Sequence, residues 1–173
     1  MNFDLRAYRE ALGCFPTGVA VVTADGPPAD GANSKRPNPV GITVNSFTSV
    51  SLDPPLVLWC MARKSGRHGL FGHAPHFTVN ILGTEHKAVS AKLARPGEHS
   101  LDGIALIKTQ LGPPALADSL AVFECTREQA IDAGDHTILL GRVLRFSRPS
   151  TSPPLVYFSG KYSALAQVVR SKA

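Results

Sequence analysis

The chain has 173 residues, of which 43% are apolar and 18% charged, with a formal net charge of +5. That length fits one domain, and that apolar content excludes an intrinsically disordered chain. The longest uncharged apolar run, Pro54 to Ala62, ends at Arg63, well short of the roughly 18 apolar residues a membrane helix needs.

In chain order, Leu5, Tyr8, Leu12 and Phe15 recur at spacings of three and four and predict an amphipathic helix over residues 2 to 13. Gly18 to Ala24 is valine-rich and reads as a buried strand. Asp25 to Pro39 carries four prolines and two glycines and reads as a long loop. Val40 to Leu52 mixes β-branched residues with hydroxyls and reads as a strand, a turn and a second strand. Leu56 to Met61 is a continuous apolar strand, and Ser65 is positioned to cap a short helix through about Phe71. Phe77 to Leu82 is another strand, followed by a helix over Glu85 to Ala94 that Pro96 and Gly97 stop. The second half reads as strands at 105–110, 119–130, 136–146 and 155–158, separated by Gly- and Pro-rich turns. The end of the chain, with Arg170 and Lys172, reads as a frayed tail. Many short strands and few helices point to an antiparallel barrel or sandwich.

The basic excess is modest and dispersed; its densest cluster is Arg63, Lys64 and Arg67 with His68. A nucleic-acid binder shows a longer basic stripe with interleaved aromatics, so a small anionic ligand is expected instead and no nucleic acid. The N-terminus lacks a basic segment followed by an apolar one, so no secretory signal and no membrane association are expected. Cys14, Cys60 and Cys125 are odd in number and lack a Cys-x-x-Cys pair. They read as three buried, reduced thiols of a cytoplasmic protein.

There is no G-x-G-x-x-G, no P-loop pattern and no G-x-S-x-G. His68, His73 and His76 lack the i, i+4 spacing of a helical metal site and read as surface residues, so no metal is expected. Thr43, Asn45, Ser46, Thr48, Ser49 and Ser51 concentrate hydroxyl and amide groups in one short segment. Such groups suit a planar, polar heterocycle carrying a phosphate, and they equally suit an ordinary turn between strands. Arg63, Lys64, Ser65 and Arg67 follow an apolar strand and open a short helix, which fits a phosphate site or a capped helix start. Gly134-Asp135-His136-Thr137 leads into a strand, and Gly160-Lys161-Tyr162 follows one.

Taken in order, these segments resemble the short-chain flavin reductases. These are flavin reductase-like proteins of the FMN-binding split-barrel fold, the reductase components of two-component flavin monooxygenases. The resemblance rests on Phe15 to Thr23, Gly41 to Ser51, Asp53 to Cys60, Phe77 to Leu82, Phe123-Glu124-Cys125, Gly134 to Ile138 and Gly160-Lys161-Tyr162, and it spans about residues 7 to 165. It implies one flavin reductase-like domain over 1–173, mainly β with peripheral helices: an antiparallel, Greek-key-like split β-barrel.

The resemblance further implies an NAD(P)H:flavin oxidoreductase. Hydride passes from NADH or NADPH to FMN or FAD, and reduced flavin serves a separate monooxygenase. It implies a homodimer with flavin at or near the subunit interface. Residue by residue, it places Thr43, Val44, Asn45, Ser46, Ser49 and Ser51 against the flavin, with Cys60, Met61, Ala62 and Ser65 lining it. Arg63, Lys64 and Arg67 are its phosphate candidates, and Lys161 and Tyr162 lie near the same site. His136 falls on the nicotinamide side as a positioning donor rather than a general base. One departure is the loop from Asp25 to Pro39, longer than the common family version and placed where it would narrow a ligand opening. Three other readings stay open at this level. They are a flavin- or haem-binding split barrel without catalysis, a pyridoxamine-phosphate-oxidase type of enzyme, and a β-barrel with no cofactor.

Overall fold

The structure is a computed structural model and describes residues 3–27 and 38–165. Its centre is a seven-stranded antiparallel sheet built from β2 (Ala20–Gly26), β3 (Asn38–Val44), β4 (Thr48–Leu52), β5 (Pro55–Ala62), β6 (His76–Ile81), β9 (Ala121–Ala133) and β10 (His136–Ser147). The spatial order is β3-β2-β6-β9-β10-β5-β4. A three-stranded sheet joins β1 (Thr17–Gly18), β11 (Leu155–Phe158) and β12 (Lys161–Ala164), and β7 (Leu106–Ile107) pairs with β8 (Ala115–Leu116). The helices are peripheral: α1 (Leu5–Gly13), α2 (His68–His73) and α3 (Lys87–Leu93), the last preceded by a 3₁₀ turn at Thr84–His86. The expected mainly β, antiparallel barrel is the architecture observed.

The two edge strands of the large sheet, β3 and β4, are consecutive in the chain. Residues 45–47 carry the chain from one edge to the other, and so the sheet curls back on itself. Ser46 stitches this seam. Its Oγ accepts the Cys60 N–H at 2.9 Å and donates to the Cys60 carbonyl at 3.2 Å.

The burial pattern explains the sequence runs. β5 alternates, sending Val57, Trp59 and Met61 inward and leaving its other residues at least partly exposed. β2 is buried on both faces because it lies between two cores. Ala20, Val22 and Ala24 belong to the cluster with Trp59, Phe71 and Phe77. Val19 and Val21 belong to a second cluster with Leu82, Leu93, Leu101, Leu116 and Leu155. In the first core Trp59 meets Phe71 and Phe77 edge-on, with centroids 5.6 and 6.0 Å apart. Truncating any of these three rings costs about 3–5 kcal/mol.

Several boundaries differ from expectation, each for a physical reason. α1 starts at Leu5 because the Asp4 carboxylate caps it, accepting from the Arg6 and Ala7 backbone N–H groups. α2 starts at His68, after Ser65, although Ser65 Oγ still accepts from the Arg67 N–H at 3.4 Å. β3 begins at Asn38, inside the proline-rich stretch read as loop. Pro39 is tolerated there because β3 is an edge strand. Asp25 and Gly26 likewise extend β2, while positions 28–37 of the expected loop lie outside the described residues, as do Arg170 and Lys172 of the expected tail. The strand expected over 105–110 shrinks to Leu106–Ile107, and β12 forms where a turn was expected. The thiols are not uniformly buried: Cys14 is exposed, Cys60 half-buried and Cys125 buried. Burial pushes the Cys125 thiol up to about 12, with Glu124 adding to the effect.

Candidate functional site

Three elements build a cleft at one end of the barrel. β3 supplies the floor, α3 one wall and the β11–β12 hairpin the other. Two hydrogen bonds lock them together. Thr43 Oγ1 donates to the Ser90 carbonyl at 2.8 Å, and Ser90 Oγ lies 2.9 Å from Tyr162 Oη. Tyr162 in turn packs edge-on against Tyr157, with ring centroids 5.6 Å apart.

The cleft has two lobes. The larger, about 710 Å³, is lined by Val19, Thr43, Val44, Asn45, Lys87, Ala91, Ala94, Tyr157 and Gly160 to Tyr162. The smaller, about 380 Å³, runs from Ile42 and Thr43 past Ala62, Lys64 and Ser65 to Arg95 and His99. Thr43 and Ala94 line both lobes, so the two adjoin. These volumes fall in the range of small-molecule and cofactor sites. Lys87 and Lys161 line the larger lobe, Lys64 and Arg95 the smaller, and among the described residues no carboxylate lines either. Apolar walls, two tyrosines and four cations suit a planar ring system that carries phosphate.

Of the residues singled out from sequence, Thr43, Val44, Asn45, Lys161 and Tyr162 line the larger lobe, and Ala62, Lys64 and Ser65 the smaller. Others sit elsewhere. The Ser46 hydroxyl is spent on the seam with Cys60. Cys60 is half-buried, with its thiol pushed up by burial and pulled down less by the Ser46 hydroxyl. Met61 points into the first core. Ser49 and Ser51 lie on the edge strand β4, outside the lining of both lobes. Arg67 is the N-cap residue of α2.

Arg63 and His136 both adjoin Ala62 of the smaller lobe, the first in the chain and the second across the β5–β10 ladder. Arg63 pairs with Asp132 at 3.3 Å, across to the β9–β10 hairpin. His136 opens β10 directly beside Ala62, and its Nδ1 lies 2.8 Å from Asp135 Oδ1. That histidine contact holds the Asp135 carboxyl below the usual carboxylate range. The Arg63 N–H donates to the Asp135 carbonyl at 2.9 Å, fixing the hairpin tip against the β5 end. His68, read as a surface residue, is half-buried, with Nε2 2.8 Å from the Thr137 hydroxyl.

Sequence reading missed Lys87, Ala91, Arg95, His99 and Tyr157. All reach the cleft only through the packing of α3, its following loop and β11 against β3. The available signal was slight: Arg95 and His99 flank the Pro96-Gly97 break after a short helix.

Comparison with known proteins shows the family. The flavin reductase like domain matches residues 12–166. The chain is 45% identical over 155 residues to an FMN reductase (NADH), SmoA, of Agrobacterium fabrum, covering 90% of this chain and 82% of that one. It is 40% identical over 161 residues to the reductase component of a flavin-dependent trigonelline monooxygenase of Acinetobacter baylyi, covering 91% of this chain and 48% of that one. The chain thus spans about half the length of some curated relatives it matches. Among solved structures, a Streptomyces globisporus NADH:FAD oxidoreductase, SgcE6, in complex with NAD and FAD fragments superposes with a TM-score of 0.84 at 32% identity. That match covers 96% of this chain and 95% of the other.

Proposed function

The chain belongs to the flavin reductase-like family, and from that footing we propose that it is an NADH:flavin oxidoreductase acting on FMN or FAD. The observation that carries this is the two-lobed cleft, lined by no carboxylate among the described residues, with Lys87 and Lys161 in one lobe and Lys64 and Arg95 in the other. Its donor set fits a flavin and a nicotinamide nucleotide, both of which are flat, apolar-faced and anionic. When bound, flavin accepts the hydride released by the nicotinamide, and no acid–base residue of the protein is required.

The chain's residues then bind, orient and exclude water. Lys64, Ser65 and Arg95 hold a phosphate. Lys87 and Lys161 neutralise the second anionic ligand. Asn45 and the backbone of residues 44–46 present donors to the polar rim of the ring. Tyr162, tied to Ser90, fixes the wall opposite. His136, paired with Ala62 at the edge of the smaller lobe, orients the nicotinamide nucleotide. His136→Ala is expected to raise the nicotinamide KM several-fold with flavin affinity unchanged; the reverse pattern removes His136 from that role.

The relatives' names support a separate monooxygenase as the recipient of reduced flavin. We also infer a homodimer. Leu5, Tyr8, Leu12 and Phe15 on and after α1 are 65, 47, 56 and 75% exposed, an apolar stripe that nothing in one described chain covers. A second copy would bury it, and sedimentation equilibrium at twice the chain mass is the expected result. We read 1–173 as one domain that acts in the cytoplasm. Among the described residues, no helix is long and apolar enough to cross a membrane.

Steady-state oxidation of NADH and NADPH by the purified protein, with and without added FMN or FAD, tests the activity. Flavin-dependent oxidation is expected, faster with NADH. No oxidation under any of the four pairings overturns it.

A further inference from the structure

His99 lines the smaller lobe, yet the residue is only 6% exposed. Its position is set by β3. The Gly41 N–H donates to the His99 carbonyl at 3.0 Å, and His99 Nδ1 lies 3.3 Å from the Gly41 carbonyl. Position 41 is also tightly packed: a Cβ there would sit 2.7 Å from Leu101 Cδ2 and 3.1 Å from Leu93 Cδ1 and would displace those side-chain ends.

The contact fixes the tautomer. A carbonyl oxygen only accepts, so Nδ1 carries the proton and Nε2 of the neutral ring is a bare acceptor. Burial holds the His99 pKa below the usual histidine value, and the Arg67 guanidinium acts in the same direction against the Gly41 carbonyl and Glu98. Among the described residues Nε2 has no hydrogen-bond partner. A bare acceptor cannot bind phosphate oxygens. Its neighbours in the lobe, Lys64, Ser65 and Arg95, can. Thr43, whose hydroxyl proton goes to the Ser90 carbonyl, adds a second acceptor where the lobes join.

We propose that His99 is a specificity residue whose Nε2 accepts a hydrogen bond from a sugar hydroxyl of a ligand whose phosphate rests on Lys64, Ser65 and Arg95. The proposal rests on the flavin reductase reading, which offers two sources of that hydroxyl: the ribityl chain of the flavin and the ribose of the nicotinamide nucleotide. The ribityl chain is the one adjacent to a ring held at Asn45, and we assign it.

Titration by flavin fluorescence tests this with three ligands: FMN, riboflavin (no phosphate) and lumiflavin (no ribityl chain). His99→Phe is expected to weaken FMN and riboflavin about fivefold, the effect of one neutral hydrogen bond, and to leave lumiflavin unchanged. His99→Gln, which keeps an acceptor near the place of Nε2, is expected to bind all three within about twofold of wild type. Lys64→Ala with Arg95→Ala is expected to weaken FMN alone. Equal losses for all three ligands in His99→Phe would mean a merely structural ring and overturn the proposal, as would no loss in any. NADH titration of the same variant separates the sources. A loss for NADH with flavin unchanged moves the hydroxyl to the nucleotide's ribose and overturns the ribityl assignment. A wild-type chain that binds none of the three flavins fails the flavin reading itself, and the NADH titration then decides the role of His99 alone.

Discussion

Thr23, Thr78 and Asn80 on β2 and β6 carry the same groups as Thr43, Asn45 and Ser46 on β3 and its turn, in opposite surroundings. The first set is fully buried, and every group is used internally. Thr23 Oγ1 donates to the Pro114 carbonyl at 2.6 Å, and Thr78 Oγ1 donates to the Pro113 carbonyl at 2.7 Å. Asn80 donates to the Val21 carbonyl at 3.1 Å and accepts the Leu116 N–H at 2.9 Å. Together they pin the 113–116 segment onto the sheet. The second set is half-buried or exposed around an open cleft, and only Thr43 and Ser46 are tied down. The lesson is that a hydroxyl-rich segment signals a ligand site only where the fold leaves its neighbours unsatisfied. Satisfied and buried, the same chemistry is scaffold.

The sharpest way to break this contrast is to truncate one member of each set. Asn80→Ala strands the Leu116 N–H and the Val21 carbonyl, and it is expected to cost about 3 kcal/mol in urea unfolding. Flavin affinity of the folded fraction should stay at the wild-type value. The opposite outcome is expected for Lys87→Ala with Lys161→Ala: stability within about 0.5 kcal/mol, and a nicotinamide KM raised about tenfold. Ser46→Ala lies between the sets, because Ser46 both closes the barrel seam and holds the turn after Asn45. Unfolding should show a loss of about 1–2 kcal/mol, and fluorescence titration a several-fold loss of flavin affinity. The smallest effect is expected for Ser49→Ala with Ser51→Ala. Both residues sit on the β4 edge outside the lobes, so flavin affinity should hold within about twofold. A larger loss would place the β4 edge in the flavin site.

Much of the barrel was legible because its strands advertise themselves. Leu56 to Met61 is a short apolar run and Phe77 to Leu82 is rich in β-branched and aromatic residues, both of strand length, and the β9–β10 hairpin turns at Gly134-Asp135. The misses share a cause: pairing that local sequence does not encode. β12 reads as a polar turn because its four residues, Lys161–Ala164, gain their strand character only from β11. Asn38 and Pro39 read as loop because an edge strand tolerates what a central strand forbids. The site divides the same way. Thr43, Asn45 and Tyr162 were legible because polar residues cluster around them in the chain. Arg95, His99 and Tyr157 were not, since they meet β3 only after α3 and the second core have packed.

In the proposed function this cleft holds nicotinamide and flavin together for hydride transfer. Anaerobic mixing of the protein with NADH and FMN, followed by the loss of flavin absorbance, tests it most directly. The account predicts flavin bleaching in step with NADH consumed, with Lys87→Ala/Lys161→Ala reaching the same maximal rate only at higher NADH. Absence of bleaching in the wild-type protein, or a double variant indistinguishable from wild type at every NADH concentration, would contradict it.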